Sequence, residues 1–390
     1  MSLLQSGKSY LLVAWLSLGC SSSPSAADYS GVAYPNHRPT FELGGRRLGY
    51  VANRKSDSVS VLDLDAMTLL GNVLVGRDPV DIDGPRHVVI DSAAGLAYLA
   101  LSYPYSQPGP HEISSGATQR SGYVEALNLL DLSEAGDLRV DPNATEIAFS
   151  PASGGLAVAH FDINLALQAD VASRRANLVL VEPAAAIATG SAAPRRVPVC
   201  AAPAAVAFDA EGGRVFVACT GEDSLTVVDR RTDVVLSRVP AGSAVVNKPY
   251  ALVADPARAR LLVSNQVAFA VSIFDMNDAP NLLSTLTVPG LPMFPAWVSD
   301  TTVVVPFQGP SGAALFDART GEQLVQVEYS DADCMNPAEF SQTSDFRLRL
   351  VCEGDHYGPG AVVLVDPESL AIKSTVSVEI YPERMGIVEP

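Results

Sequence analysis

The chain has 390 residues and a formal net charge of −17 at neutral pH. Because so acidic a protein repels a phosphate backbone, we exclude nucleic acid as a partner. Hydrophobic residues make up 48% of the chain, which is enough for a large core. The length exceeds that of an average domain and fits one large ring of repeats.

The first residues, 1–20, are typical of an export signal, with Lys8 ahead of the apolar stretch 10–18. The sequence around Cys20, followed by three serines, resembles the cleavage box of bacterial lipoproteins. We therefore predict lipidation at Cys20, which would anchor the protein to a membrane of the bacterial envelope. The alternative is ordinary cleavage after Ala27, which would remove Cys20.

Residues 21–39 are rich in Ser, Ala and Pro, and we predict a flexible tether there. The segment from Tyr50 to Asp63 then has the pattern of a strand, a polar turn and another strand that ends in an acid. The pattern returns down the chain. The acids that mark its seven copies are Asp63, Asp131, Glu182, Asp229, Asp275, Asp317 and Asp366.

A strand, a turn and another strand lie upstream of most of these acids, as in 206–217 and 252–263, and one more strand follows each acid, as in 234–239. Each unit of about 40–50 residues thus holds four strands, which is the period of a propeller blade. One four-stranded sheet cannot bury either face alone, whereas sheets stacked around an axis bury both. We predict an all-β, seven-bladed β-propeller of four-stranded antiparallel blades over residues 40–390. A β-sandwich or a parallel β-helix is the alternative.

The motif Tyr50-Val-Ala-Asn53 followed by Ser58-Val-Ser-Val-Leu-Asp63 resembles the YVTN-type β-propeller repeat family. Two further copies lie at 217–229 and 262–275. The resemblance implies a propeller like those of bacterial and archaeal surface proteins. It leaves the function open, because such propellers host many roles.

The end of the chain predicts how the ring closes. Residues 384–390 match the inner strand and turn at 250–256, yet no strand follows them. The first unit begins at about Arg46 with its second strand. We predict that the C-terminal strand serves as the inner strand of the first blade, which removes a sheet edge. The segment 40–43 is the alternative.

Four cysteines remain after Cys20, and an even number in an exported chain suggests disulfides. Their matching places in two repeat units pair Cys200 with Cys219 and Cys334 with Cys352. A four-cysteine metal site is the alternative, but the Cys-x-x-Cys spacing is missing. We assign no cofactor.

Propeller ligands usually meet the face formed by loops that enter the inner strands and loops that join the second and third strands. The fold should gather charged and aromatic side chains of these loops near the axis. The predicted binding residues are Arg54, Arg77, Arg86, His87, His160, Lys248, Tyr250 and His356. The cations could capture an anion and the histidines a metal. Ion pairs between blades and solvated histidines are the alternatives, so we assign no metal and no catalytic residue.

Two long insertions, 102–122 and 160–176, belong to adjacent blades on that face. Long loops are often functional, so we expect them to form one raised wall, with plain decoration as the alternative. The second should contain a short helix from residue 163.

The leading hypothesis is a monomeric, non-enzymatic envelope protein that binds a ligand or an envelope protein on this face. The alternative is an enzyme similar to propeller lactonases or lyases, with His87, His160 or His356 as acid, base or metal ligand. No Gly-x-Ser-x-Gly elbow or P-loop occurs. An enzyme would need two or three ionisable groups within hydrogen-bonding reach at one axial pocket.

Overall fold

A computed structural model describes residues 39–77, 79, 82–102 and 121–390. Seven antiparallel sheets form a seven-bladed β-propeller, which confirms the predicted fold. Cys20, the export signal and nearly all of the predicted tether lie outside the described residues. Within the described part, no helix is long and apolar enough to cross a bilayer.

We number the blades along the chain and name their strands inner, second, third and outer. Blade 1 comprises Pro382–Val388, Leu48–Asn53, Ser58–Asp63 and Thr68–Leu74. Blade 2 comprises Pro85–Asp91, Leu96–Leu101, Gly122–Asn128 and Glu134–Val140. Blade 3 comprises Ala144–Ser150, Gly155–His160, Ala176–Val181 and Arg195–Cys200. Blade 4 comprises Pro203–Phe208, Arg214–Cys219, Ser224–Asp229 and Val234–Pro240.

The remaining blades follow the same order. Blade 5 comprises Pro249–Asp255, Arg260–Asn265, Ala270–Asp275 and Leu282–Thr287. Blade 6 has a divided inner strand, Leu291–Pro292 and Ala296–Trp297, then Thr302–Gln308, Gly312–Asp317 and Gln323–Glu328. Blade 7 comprises Pro337–Gln342, Leu348–Cys352, Pro359–Val365 and Ile372–Ile380. The helical turns are Ile163–Ala166, Val171–Arg174, Ala184–Ala186, Thr220–Glu222 and Asp331–Cys334.

Burial explains why the blades need each other. The second and third strands of blade 1 are buried along their whole length, whereas the outer strand Val234–Pro240 of blade 4 alternates exposed and half-buried residues. Tyr98 and Val124 of blade 2 pack in one cluster with Ile147 of blade 3. Each blade therefore hides its apolar faces against its neighbours, as the repeat pattern predicts.

Four of the seven repeated acids cap turns after the third strands with the same pair of hydrogen bonds. The Oδ1 atom of Asp63 accepts the backbone N–H groups of Asp65 (3.0 Å) and Ala66 (2.9 Å). Asp229, Asp317 and Asp366 make the same pair of bonds two and three residues ahead. A short acceptor side chain followed by such a turn is an Asx-turn, so the acid is repeated for a local structural reason.

The C-terminal strand closes the ring as predicted. Pro382–Val388 pairs antiparallel with Leu48–Asn53, from Leu48 opposite Val388 to Ala52 opposite Arg384. The alternative segment 40–43 is not in a strand. The side chain of Phe41 is buried, and the backbone N–H of Phe41 donates to the Leu130 carbonyl.

Both predicted disulfides are present, Cys200–Cys219 and Cys334–Cys352. Cys200 ends the outer strand of blade 3, and Cys334 ends a helical turn after blade 6. Each bridge therefore ties the connection between two blades to the second strand of the following blade. Two disulfides suggest an extracellular or periplasmic location.

The insertion 160–176 contains the predicted short helix, as the single turn Ile163–Ala166. The side chain of Asp162 caps it by accepting the Leu165 N–H at 2.8 Å. Most of the other insertion, residues 103–120, lies outside the described residues, so the raised wall stays a prediction.

Candidate functional site

The same backbone irregularity opens most of the inner strands. All seven inner strands are described, and six of them skip one residue in register with the second strand. In blade 4, Pro203 pairs with Cys219 and Ala205 with Ala218, so that Ala204 has no partner position. A bulge of this kind redirects a side chain. The bulged residues are Arg86, Thr145, Ala204, Tyr250, Ala338 and Glu383.

A left-handed residue precedes each of these strands. The φ angles are 49° at Ala202, 55° at Lys248 and 59° at Tyr381. Residues other than glycine rarely adopt this region. The carbonyl of each such residue accepts the N–H of the residue that follows the second strand. Thr220 donates to Ala202 and Gln266 to Lys248, both at 3.1 Å. The bond holds the two loops of each blade together.

These two rings of residues surround a cavity of about 250 Å³ on the propeller axis. We call it the axial cavity and the side of the ring that bears its loops the axial face; the turns capped by the repeated acids lie on the far face. Every blade contributes to the lining, since inner strands of all seven reach the axis. The residues after the second strands that line it are Phe161, Thr220, Gln266 and Glu353, and Gln308, the last residue of the blade 6 second strand, lines it as well.

Blade 6 departs from the pattern and supplies an aromatic wall. Between the two pieces of its inner strand, the Phe294 N–H donates to Ala338 of blade 7 (2.9 Å), and the Phe294 carbonyl accepts from Phe340 (3.0 Å). The centre of the Phe294 ring lies 5.9 Å from that of the Tyr250 ring. The Arg384 guanidinium lies 3.7 Å from the centre of the Phe294 ring. One side of the cavity is therefore apolar.

Glu383 is bound by two arginines beside the cavity. Arg86 approaches its carboxylate with Nε at 2.9 Å and Nη2 at 3.3 Å, and Arg54 with Nη1 at 3.2 Å. All three side chains are nearly inaccessible to solvent. Because opposite charges compensate at close range, both guanidiniums are committed to this glutamate.

Arg384 is bound in the same way by two glutamates from other blades. Its Nε lies 2.8 Å from Glu339 Oε1, and its Nη1 contacts Glu146. Burial opposes ionisation of Glu146, but Arg384 and His87 outweigh it and lower the pKa of the carboxyl. This ion pair network closes the floor of the axial cavity.

Glu353 stands apart from the other three glutamates. Its carboxylate is 2% exposed, and Oε2 lies 2.8 Å from Nε2 of His356. In the described part of the chain its only ion-pair partner is this histidine. Burial raises the pKa of Glu353, the His356 hydrogen bond opposes the rise, and the Glu383 charge adds to it. The His356 ring stacks on Tyr381 at 3.8 Å.

The three predicted histidines have three separate environments. His87 Nδ1 lies 3.1 Å from Glu146 Oε1, and its side chain lines a second hollow that reaches the turns of the far face. His160 is buried at the end of its strand, with Nδ1 3.0 Å from the Asn177 carbonyl, and burial lowers its pKa to about 4. His87 and His356 each touch a glutamate that lines the axial cavity, Glu146 and Glu353 respectively. Among the described residues, no group of His, Cys, Asp and Glu is arranged to hold a metal ion.

The other predicted residues divide similarly. Arg86 and Tyr250 line the cavity, and Arg54 contacts its wall through Glu383. Lys248 Nζ donates to the Thr220 carbonyl at 3.3 Å. Arg77 instead pairs with Asp137 and lies over the Tyr123 ring, so it belongs to the flank of blade 2.

The sequence analysis did not single out Glu146, Phe294, Glu353, Glu383 or Arg384 as site residues. One signal could have found part of this set. The bulged residue follows a strand-opening proline in five blades, as in Pro249-Tyr250 and Pro382-Glu383. Reading the residue after each such proline as axial would have identified Glu383.

No protein-family model matches this chain, and no curated protein matches it in sequence. The periplasmic gluconolactonase PpgL of Pseudomonas aeruginosa has a similar structure, with 14% identity, a TM-score of 0.64 and coverage of 88% of this chain and 99% of that chain. A protein from Lactobacillus plantarum is 12% identical, with a TM-score of 0.65 and the same coverage. Dihydro-heme d1 dehydrogenase NirN is 15% identical over 93% of this chain and 81% of its own, with a TM-score of 0.58. At these identities the likeness shows the propeller fold alone.

Proposed function

We propose that this protein is an exported, lipid-anchored binding protein of the bacterial cell envelope that takes a small ligand in the axial cavity. The observation that carries the proposal is the backbone arrangement that recurs at the start of the inner strands. Six blades hold a left-handed residue and a bulge at the same point, and the bulged side chains converge on one cavity. Uncommon backbone conformations of this kind cluster at binding sites.

The size of the cavity favours a small molecule over a large cofactor. Pockets for drug-sized ligands range from roughly 300 to 1,000 Å³, whereas this cavity measures about 250 Å³. A metabolite of modest size fits it. We therefore favour a small molecule over an envelope protein as the primary partner.

The proposed location rests on the export signal, the lipoprotein-like sequence at Cys20 and the two disulfides. The resemblance to YVTN-type repeats agrees with it, as does the structural similarity to PpgL, which is a periplasmic protein by name. Mass spectrometry of membrane-extracted protein tests it. We expect an acylated N-terminal cysteine, and release of a Cys20→Ser variant from the membrane. A mature chain that starts at Asp28 would contradict anchoring.

Native mass spectrometry of the extracted protein tests the ligand. We expect a small molecule to co-purify and to disappear in Ala204→Phe, which fills the cavity from a bulged position. Ala66→Phe, at an exposed turn of the far face, is the matched control and should retain it. Equal retention by both variants would place the ligand elsewhere.

An enzyme is the second candidate, favoured by the Glu353–His356 pair. A buried carboxyl with a raised pKa, hydrogen-bonded to a histidine at a cavity, is suited to acid–base catalysis. PpgL is a gluconolactonase by name, so lactones are the first substrates to assay. Turnover that is abolished in Glu353→Gln and retained in Glu328→Gln, on an exposed outer strand, would establish catalysis.

A further inference from the structure

The charges that line the axial cavity do not cancel. Its lining holds two arginines, Arg86 and Arg384, and three glutamates, Glu146, Glu353 and Glu383, so one negative charge is in excess when all five side chains are ionised. The arginine and the glutamate that pair with these groups from behind leave the excess unchanged, because Arg54 on Glu383 and Glu339 on Arg384 add one charge of each sign.

An anionic ligand would meet arginines that are already paired with glutamates. Arg86 binds Glu383 through two nitrogens, and Arg384 is held between Glu146 and Glu339. A carboxylate or phosphate would have to displace a buried glutamate from one of them. Breaking a buried ion pair leaves an uncompensated charge away from water, so such a displacement is unfavourable.

Glu353 offers the opposite opportunity. Its carboxylate lines the cavity, and among the described residues its ion-pair partner is the His356 ring and no arginine or lysine. His356 is fixed behind it by stacking on Tyr381. Met293, Phe161 and Phe294 supply apolar surface around the same space. The cavity thus combines one undercompensated carboxylate with apolar walls.

We propose that the axial cavity binds a small organic cation, whose ammonium group pairs with Glu353 and whose carbon skeleton contacts the apolar wall. The inference rests on the proposed function and adds the chemical class of its ligand. A charge-assisted hydrogen bond between ammonium and carboxylate is short and about twice as strong as a neutral one. Aromatic faces beside such a group add cation–π attraction.

Matched probes separate charge from shape. Calorimetry on the full chain would compare phenethylamine with phenethyl alcohol and phenylacetate, and isoamylamine with isoamyl alcohol and isovalerate. Within each set the skeleton is constant and the polar group changes. We expect an amine to bind about tenfold more tightly than its alcohol, as one charge-assisted bond supplies, and the carboxylates to bind most weakly.

Glu353→Gln keeps the size of the side chain and removes the charge. We expect the affinity for the amine to fall about tenfold, to that of the alcohol, while alcohol binding is unchanged. Glu328→Gln makes the same substitution on an exposed outer strand and should change neither. Unchanged alcohol binding also shows that the Glu353 variant is folded.

The remaining outcomes also decide the inference. Tighter binding of a carboxylate or an alcohol than of its amine, or amine binding that survives Glu353→Gln, rejects the cation but leaves the proposed function standing. If none of the six probes binds, the co-purified ligand decides: an amine supports the inference, and a neutral or acidic molecule rejects it. Absence of both probe binding and a co-purified ligand rejects the proposed function as well.

Discussion

Two sets of positions recur around this ring, and they differ in what is repeated. At the far face, an acid ends or follows each third strand, and most of these acids make the same pair of bonds to a turn, as Asp63 and Asp229 do. At the axial face the backbone repeats, but the bulged side chains range from Ala204 through Tyr250 to Glu383. The first set repeats chemistry and stabilises blades one at a time. The second repeats a position and varies the chemistry, which is how seven similar units build one asymmetric site.

Breaking the axial network should have the largest effect. Glu383→Gln leaves Arg54 and Arg86 buried without their shared carboxylate. We expect the free energy of unfolding to fall by about 3–5 kcal/mol, measured by urea denaturation. The control Glu368→Gln, at an exposed turn, should be near neutral. A loss for Glu383→Gln as small as that of the control would show that the network does not stabilise the ring.

The disulfides adjoin the axial loops, because Cys219 precedes Thr220 and Cys352 precedes Glu353. Replacing both cysteines of one bridge by serine should reduce the free energy of unfolding by about 3 kcal/mol, the chain-entropy cost of a loop of this size. The two bridges span 19 and 18 residues, so we expect equal losses. Denaturation of both double variants measures this, and a large difference would mean that native-state contacts dominate.

His160 should make stability depend on pH. Its pKa is lowered by burial to about 4 from an ordinary value of 6.5, so the unfolded chain binds a proton in this window before the folded protein does. Stability should therefore decrease as the pH falls from 6.5 to 4, by up to about 3 kcal/mol. An asparagine in place of His160 could donate a hydrogen bond to the Asn177 carbonyl, and its side chain does not titrate.

The measurement is urea denaturation between pH 4 and 7.5 for the natural chain and His160→Asn. We expect the variant to show the shallower slope, because one titrating group is removed. Parallel slopes would mean that the pKa of His160 is the same in the folded and the unfolded chain.

The far-face turns should show the smallest effect. Asp63→Ala removes the acceptor of two backbone N–H groups, and we expect a loss of about 1–2 kcal/mol. Asp63→Asn keeps an acceptor oxygen and should lose less. Thermal denaturation of the two variants measures the order, and neither should change ligand binding, since the turn lies away from the axial cavity. A binding defect in either would contradict the division between the two sets.

Much of the fold could be predicted because it depends on local patterns. Alternation in the strands, the acid at each turn and the spacing of the copies identified seven blades, and the cysteine positions within the copies gave both pairings. The site was predicted less completely. Arg86 and Tyr250 line the axial cavity, whereas Arg77 and His160 lie elsewhere, and Glu353 and Glu383 were not singled out.

The sequence by itself determined the number of blades, the closing strand and the disulfides, because each follows from a pattern that a blade needs for its own folding. Only the tertiary structure decided which side chains face the axis. A bulge turns Glu383 inward through one skipped pairing, and Phe294 reaches the cavity because its backbone pairs with the neighbouring blade. Such orientations depend on contacts between distant parts of the chain, which a local pattern does not encode.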